Sequence, residues 1–205
     1  ILTLAGRNAF GELQLVIPNL VGRKLYAEQL KDLFLPQGAD KTAVLKLAEG
    51  VYQRGEFQPV CDFVEQRLFR VFDNRDYPPA NELTVKTLFL TLLFNDTFYI
   101  MDSETALERR YADLTMIVRP TMRQYQLLDI LIEFKYIKLN EVKLTGKEVK
   151  EMTLDDLKKL PAVKQQLSLA VTQLLDYRQR LQRAYQGQLR LRADAVVAEG
   201  FERLV

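Results

Sequence analysis

The sequence predicts a mixed α/β (α+β) fold: a central mixed sheet flanked by helices, preceded by a small helical subdomain. Two observations predict it. Through residue 77 the apolar side chains recur at helical spacing. From residue 82 onward the pattern changes to helix, three strands, helix, strand, and the run Leu127-Leu128-Asp129-Ile130-Leu131-Ile132 is apolar enough for a central strand covered on both faces.

In chain order, residues 13–17 are a short apolar segment broken by Pro18 and Asn19. Leu25, Leu30, Leu33 and Phe34 follow at helical spacing, and the turn Pro36-Gln37-Gly38 precedes a second helix over residues 44–51, which Gly55 ends. Phe57, Val60, Phe63, Val64, Leu68 and Val71 make a third amphipathic helix. None of these faces gathers polar chemistry, so residues 1–77 read as a helical packing unit. Asp76-Tyr77-Pro78-Pro79 breaks the chain and separates it from residues 78–205. Asn81 can cap a helix with Glu82 in its first turn and the body LTVKTLFLTLLF, ended by Asn95-Asp96. Strands are expected over residues 98–101, 114–118 and 127–137. Residues 138–159 mix charges of both signs and suggest a solvated excursion. Pro161 opens a long helix over about 162–185, and residues 195–198 make a last strand.

Composition narrows the chemistry. The 205 residues contain 29 Lys and Arg against 27 Asp and Glu, a net charge of +2, which neither requires nor forbids a nucleic-acid partner. There is no histidine, which removes imidazole bases, Ser-His and Cys-His pairs and His-ligated zinc. The single cysteine, Cys61, can form no internal disulfide, which favours a reducing compartment or indifference to redox, and a cytoplasmic setting is expected. No Walker loop or G-x-G-x-x-G is present. Carboxylates acting with a hard cation such as Mg2+ or Mn2+ fit what remains. The sequence shows neither a membrane span nor a signal peptide, and because it begins with Ile it is expected to be a fragment or processed form of a longer protein.

The strands at 114–118 and 127–137 are close enough for a hairpin. With the turn centred near residue 123, opposed residues sum to about 246, so Met116 faces Ile130 and Asp113 faces Glu133. Alternation puts Lys135 beside Glu133 and turns Phe134 away. Two opposed acids destabilise a sheet unless a cation compensates, although an ordinary surface salt bridge would leave the same pattern. A slip of one residue would part them across the faces.

The order of these pieces resembles the PD-(D/E)XK nuclease superfamily. Ala112-Asp113-Leu114 and Glu133-Phe134-Lys135 stand where its signature lies, with alanine in place of proline. Glu82 resembles the acid on the preceding helix, and Gln173-Leu174-Leu175-Asp176-Tyr177 resembles the Q-x-x-x-Y element of RecB-like members. A narrower resemblance lies in Glu104-Thr105-Ala106-Leu107 before Arg109-Arg110-Tyr111, and in Leu15-Val16-Ile17-Pro18-Asn19. Both are similar to a bacterial branch that carries such a domain behind an AAA-ATPase-like domain. This chain has Glu108 or Arg109 where that branch has glycine, and two extra residues before the aspartate.

The resemblance implies a restriction-endonuclease-like core. It implies Mg2+ or Mn2+ held by Asp113 and Glu133 with Glu82 in support, Lys135 acting on water or phosphate, and Gln173 and Tyr177 orienting the site. From charge alone, Arg178, Arg180, Arg183, Arg190 and Arg192 with Tyr185 could line a phosphate path, with Arg119 and Arg123 similar but weaker; a solvated basic helix face explains them equally. Two functions follow: a metal-dependent nuclease acting on DNA (RNA being the other candidate polymer), or a non-catalytic nuclease-like fold used for binding nucleic acid or protein.

Overall fold

The computed structural model describes residues 3–7, 12–16, 20–72, 81–107 and 110–205. The expected breaks at Pro18-Asn19 and Asp76-Pro79, and Glu108-Arg109, lie outside the described residues.

The chain opens on an antiparallel pair, β1 (Thr3–Arg7) with β2 (Leu13–Val16), so the apolar segment before the helices is a strand rather than part of a helical unit. Helices α1 (Leu20–Phe34) and α2 (Gly38–Arg54) follow. Gly55 closes α2 in the left-handed region at φ 68°, with its N–H on the Val51 carbonyl, a conformation that costs glycine little. The third amphipathic stretch is a helical rod in three parts. These are α3 (Gln58–Phe63), a π-helical turn (Val64–Leu68) and α4 (Phe69–Phe72), with Val60, Val64 and Leu68 buried.

Helix α5 (Glu82–Leu92) begins as expected: the Asn81 side chain accepts from the Thr84 N–H at 3.1 Å. Its apolar stripe, Val85, Leu88, Phe89 and Leu92, is buried against the main sheet. That sheet comprises β3 (Tyr99–Leu107), β4 (Arg110–Val118), β5 (Asp129–Ile137), β6 (Leu191–Glu199) and β7 (Arg203–Leu204), in that spatial order. All neighbours run antiparallel except β5 and β6, which are parallel. β3 and β6 are both longer than the sequence suggested. β6 begins with mostly half-buried positions that carry no alternation, so only its most apolar end was visible.

The charged segment 138–159 is not a solvated excursion. It folds into three short helices, α6 (Leu139–Val142), α7 (Gly146–Glu151) and α8 (Leu154–Lys159). Thr145 and Thr153 cap α7 and α8, and Val149 and Leu157 are fully buried. In α7 and α8 a single anchoring apolar residue among surface charges hides the periodicity. Helix α9 (Pro161–Ala184) then crosses back over the sheet, completing the connection between the parallel strands.

One hydrophobic cluster joins Leu35, Val51, Val64 and Phe69 of the helical region to Phe89, Leu114, Ile132 and Phe134. A second packs Leu174, Tyr177 and Leu181 of α9 against Ala112, Ile117 and Leu131. The molecule is thus α+β, with a five-stranded mixed sheet flanked by helices. Among the described residues no helix is long and apolar enough to cross a membrane.

Candidate active site

β4 and β5 pair through Leu114↔Ile132, Thr115↔Leu131 and Met116↔Ile130, the register expected from the hairpin sum. The registered pairs stop there. One residue on, the ladder gives way to a side-chain contact: Asp113 Oδ2 accepts from the Phe134 N–H at 2.8 Å. Asp113 is therefore tied to the backbone of β5 beside Glu133 and does not face it across an unbroken ladder.

Phe134 points into the core against Phe89, with ring centroids 5.2 Å apart, so alternation sends Glu133 and Lys135 the other way. Lys135 Nζ donates to Glu133 Oε1 at 2.7 Å. Glu133 is 2% exposed, and its Oε2 is buried without a hydrogen-bond partner. Burial pushes its carboxyl above the usual range; the Lys135 ammonium opposes that, and the charges of Asp113 and Glu82 reinforce it. Glu82, in the first turn of α5, is likewise raised, first by burial and then by Asp113, against Lys135 and Lys86.

Lys86 is a member that sequence reasoning missed. It lies one turn beyond Glu82 on the same face of α5, is 7% exposed, and places Nζ 3.5 Å from Asp113 Oδ1. The Glu82–Lys86 spacing of four was the available signal. Among the described residues the cluster holds three carboxylates and two ammonium groups.

Gln173 and Tyr177 come from α9, which runs antiparallel to β5: Val163 clusters with Ile137, and Tyr177 with Leu131. A rise of about 1.5 Å per residue in the helix against about 3.3 Å in the strand sets Gln173 level with Glu133. Gln173 Oε1 is buried without a partner. Tyr177 is 3% exposed and packs within the apolar cluster under the sheet.

Several of the expected phosphate contacts are engaged inside the fold. Arg123 forks onto Asp129 at 2.6 and 2.8 Å, and Arg119 donates to the Asp96 carbonyl at 2.9 Å. Arg180 pairs with Asp176 at 3.1 Å, Arg190 donates to the Arg123 carbonyl at 3.0 Å, and Arg192 forks onto Asp194. Asp129, Asp176 and Asp194 thus pair with three of these guanidinium groups, and backbone carbonyls accept from the other two. Arg178 and Arg183 are exposed.

Among the described residues no group of three or more His, Cys, Asp or Glu is arranged to hold a metal ion. The oxygens nearest that role are Glu133 Oε2, Asp113 Oδ1 and the Glu82 carboxylate, an all-oxygen set of the type that suits Mg2+ or Mn2+. No protein-family model, characterised protein or solved structure matched the chain.

Proposed function

We propose that this chain is a PD-(D/E)XK-like nuclease domain that hydrolyses DNA phosphodiester bonds with Mg2+ or Mn2+. The observation that supports it is Glu133 Oε2, a carboxylate oxygen buried with no donor, in a cluster with Asp113, Lys135 and Glu82. An unsatisfied buried acceptor costs on the order of 1–3 kcal/mol, more when charged, and a divalent cation is the partner that best suits a carboxylate among carboxylates. By the resemblance, Asp113 and Glu133 would hold such an ion, with Glu82 in support. When bound, it supplies an activated water and neutralises charge on the scissile phosphate.

The chain's own residues have separate tasks. The Phe134 N–H fixes Asp113 through one oxygen and leaves Oδ1 turned to the cluster. Glu133 holds the Lys135 ammonium in place, ready to donate to a phosphate oxygen or to the attacking water. By the resemblance, Gln173 and Tyr177 would orient the site. Arg178 and Arg183 offer exposed forks for the nucleic-acid backbone. In this reading the domain works in the cytoplasm, behind an ATPase-like domain that delivers DNA.

The second reading is a non-catalytic nuclease-like fold that binds nucleic acid or protein. It is favoured by Lys86 standing on Asp113 and by the internal engagement of Arg119, Arg123 and Arg180.

The test is cleavage of single- and double-stranded DNA with Mg2+ or Mn2+, a chelator control, and calorimetric Mn2+ binding. Wild type is expected to bind Mn2+ and cut. Asp113→Ala should lose both, and Lys135→Ala should lose rate while still binding the ion. A folded wild type that takes up no Mn2+ and cuts neither substrate overturns the proposal in favour of the second reading.

A further inference from the structure

Strand β6 has an open outer edge over part of its length. Its inner side pairs with β5 from Asp129↔Leu191 to Ile137↔Glu199. Because the Asp129 N–H donates to the Arg190 carbonyl, the backbone groups of Arg192, Asp194 and Val196 turn toward β5. Those of Leu191, Ala193, Ala195 and Val197 turn outward. Val197 exchanges both of its groups with Val205, at 2.8 and 2.9 Å, and β7 covers Ala198 and Glu199. The Glu65 carboxylate in turn accepts from the Leu204 N–H on the far side of β7. Short of Val197 this cover stops. Among the described residues nothing bonds to the outward N–H and C=O of Leu191, Ala193 and Ala195. A cavity of about 510 Å3 lies along the same edge, with Phe57, Pro59, Leu167, Asp194, Ala195 and Val205 in its lining. An edge of this kind is a template for one more strand.

We propose that this edge is the interface of a symmetric dimer, in which β6 pairs antiparallel with β6 of a second copy about a two-fold axis at Ala193. The order Leu191-Arg192-Ala193-Asp194-Ala195 is complementary to itself when reversed. With Ala193 opposite itself, Leu191 meets the second copy's Ala195, and each opposed pair exchanges two N–H···O bonds. Every outward group of the open stretch is then satisfied. On one face of the joined sheet Arg192 stands opposite the second copy's Asp194, with Cβ atoms about 5 Å apart, and Asp194 stands opposite the second copy's Arg192. Within one copy Arg192 already forks onto Asp194 at 2.6 to 3.0 Å. Pairing turns two such forks into a ring of four alternating charges. The Arg192 side chain is 49% exposed and its guanidinium has five donors, enough for both carboxylates. The next hydrogen-bonded register in either direction opposes Arg192 to Arg192 or Asp194 to Asp194, which repel. Beyond Ala195 the edge is taken by β7, so the pairing closes as a dimer and does not grow. The dimer stands independently of the nuclease reading.

The test is sedimentation equilibrium of the whole chain, as wild type, Arg192→Asp and Asp194→Arg. Wild type is expected to dimerise. Each single variant opposes like charges at both positions and should weaken self-association by about tenfold or more. An equal mixture of the two variants places acid opposite guanidinium again and should recover the dimer. A charge pair acting only within one copy would not be restored by mixing. Because Asp194 is half-buried and the folding of Asp194→Arg is at risk, a second measurement uses wild type alone. Amide hydrogen exchange at Ala193 and Ala195 should be slow in the dimer and fast after dilution to monomer. Asp194 and Val196, whose N–H groups lie in the β5 ladder, should stay slow throughout. A wild type that remains monomeric up to about 1 mM overturns the inference. Slow Ala193 and Ala195 amides in that monomer would assign the edge to cover within the chain, and fast ones would leave it to an extended segment of another protein. A dimer that both single variants retain, a mixture of the folded variants that stays monomeric, or a dimer whose Ala193 and Ala195 amides exchange freely overturns it as well.

Discussion

Asp129→Ala should destabilise the protein by about 4 kcal/mol, although Asp129 belongs to no proposed site. Asp129 is 0% exposed at the start of β5 and accepts from four donors. These are the Val118 N–H at 2.8 Å, the Arg190 N–H at 2.9 Å, and the Arg123 fork at 2.6 and 2.8 Å. It therefore ties the end of β4, the β4–β5 turn and the entry to β6 to one carboxylate. Truncating one partner of a buried ion pair costs about 3–5 kcal/mol, and each orphaned backbone donor about 1–3 kcal/mol if water cannot reach it. Arg123 keeps partial access to water, with 28% of its side chain exposed, which holds the total near the middle of that range. Arg123→Ala leaves Asp129 its two backbone donors and should cost about 2 kcal/mol. In urea unfolding the double variant should cost less than the sum of the singles, by roughly 1.5 kcal/mol or more. A loss below about 1 kcal/mol for Asp129→Ala, or strict additivity, would refute the clasp and return Arg123 to the surface as a free phosphate contact.

Further expectations concern pH, a helix cap and the substrate path. Burial lifts Glu199 to about 7, while its unfolded carboxyl titrates near 4.3. The folded state then keeps a proton that the unfolded state has lost, so stability falls as pH rises across that window and levels off above it. Glu199→Gln should remove that fall and raise the melting midpoint at pH 8; an unchanged pH profile in thermal melts would refute it. Asn81→Ala should cost about 1 kcal/mol by loss of the cap on Thr84, checked by the shift of the urea midpoint at constant m-value. Arg178→Ala with Arg183→Ala should weaken DNA binding and lower the log–log salt slope by up to about two, and an unchanged slope would exclude α9 as the footprint.

The hairpin register was legible because it depends only on a short connection and on period-two alternation: Met116 and Ile130 had to face inward together. The α5 cap was legible because Asn81 needs only its neighbour Thr84. Lys86 was not singled out, since a lysine in an apolar helix reads as an ordinary snorkelling side chain until Asp113 is seen opposite it. Asp129 was hidden for a related reason: inside an apolar run it looks like an interruption, and its four donors come from positions between 118 and 190. Arg119 and Arg123 were assigned outward because sequence shows a charge but not its partner. In segment 138–159 the anchors Val149 and Leu157 are too widely spaced to display a period.

Three buried acids in the same sheet show how the fold deals with a carboxylate taken from water. Asp129 is supplied with four donors and needs nothing more. Glu199, whose two oxygens lack partners, is pushed toward holding a proton at neutral pH by burial, and the proton removes its charge. Glu133 follows neither course completely. Lys135 at 2.7 Å favours its charged form, yet the second oxygen has no donor, and Asp113 and Glu82 add charge of the same sign. Satisfying it would have been easy on this scaffold, since Asp129 lies four residues earlier on the same strand with every oxygen occupied. An acid with an ammonium on one oxygen and no donor on the other stabilises the fold less than a glutamine or leucine of similar size would. The cost is explained if the second oxygen serves an ion that arrives after folding.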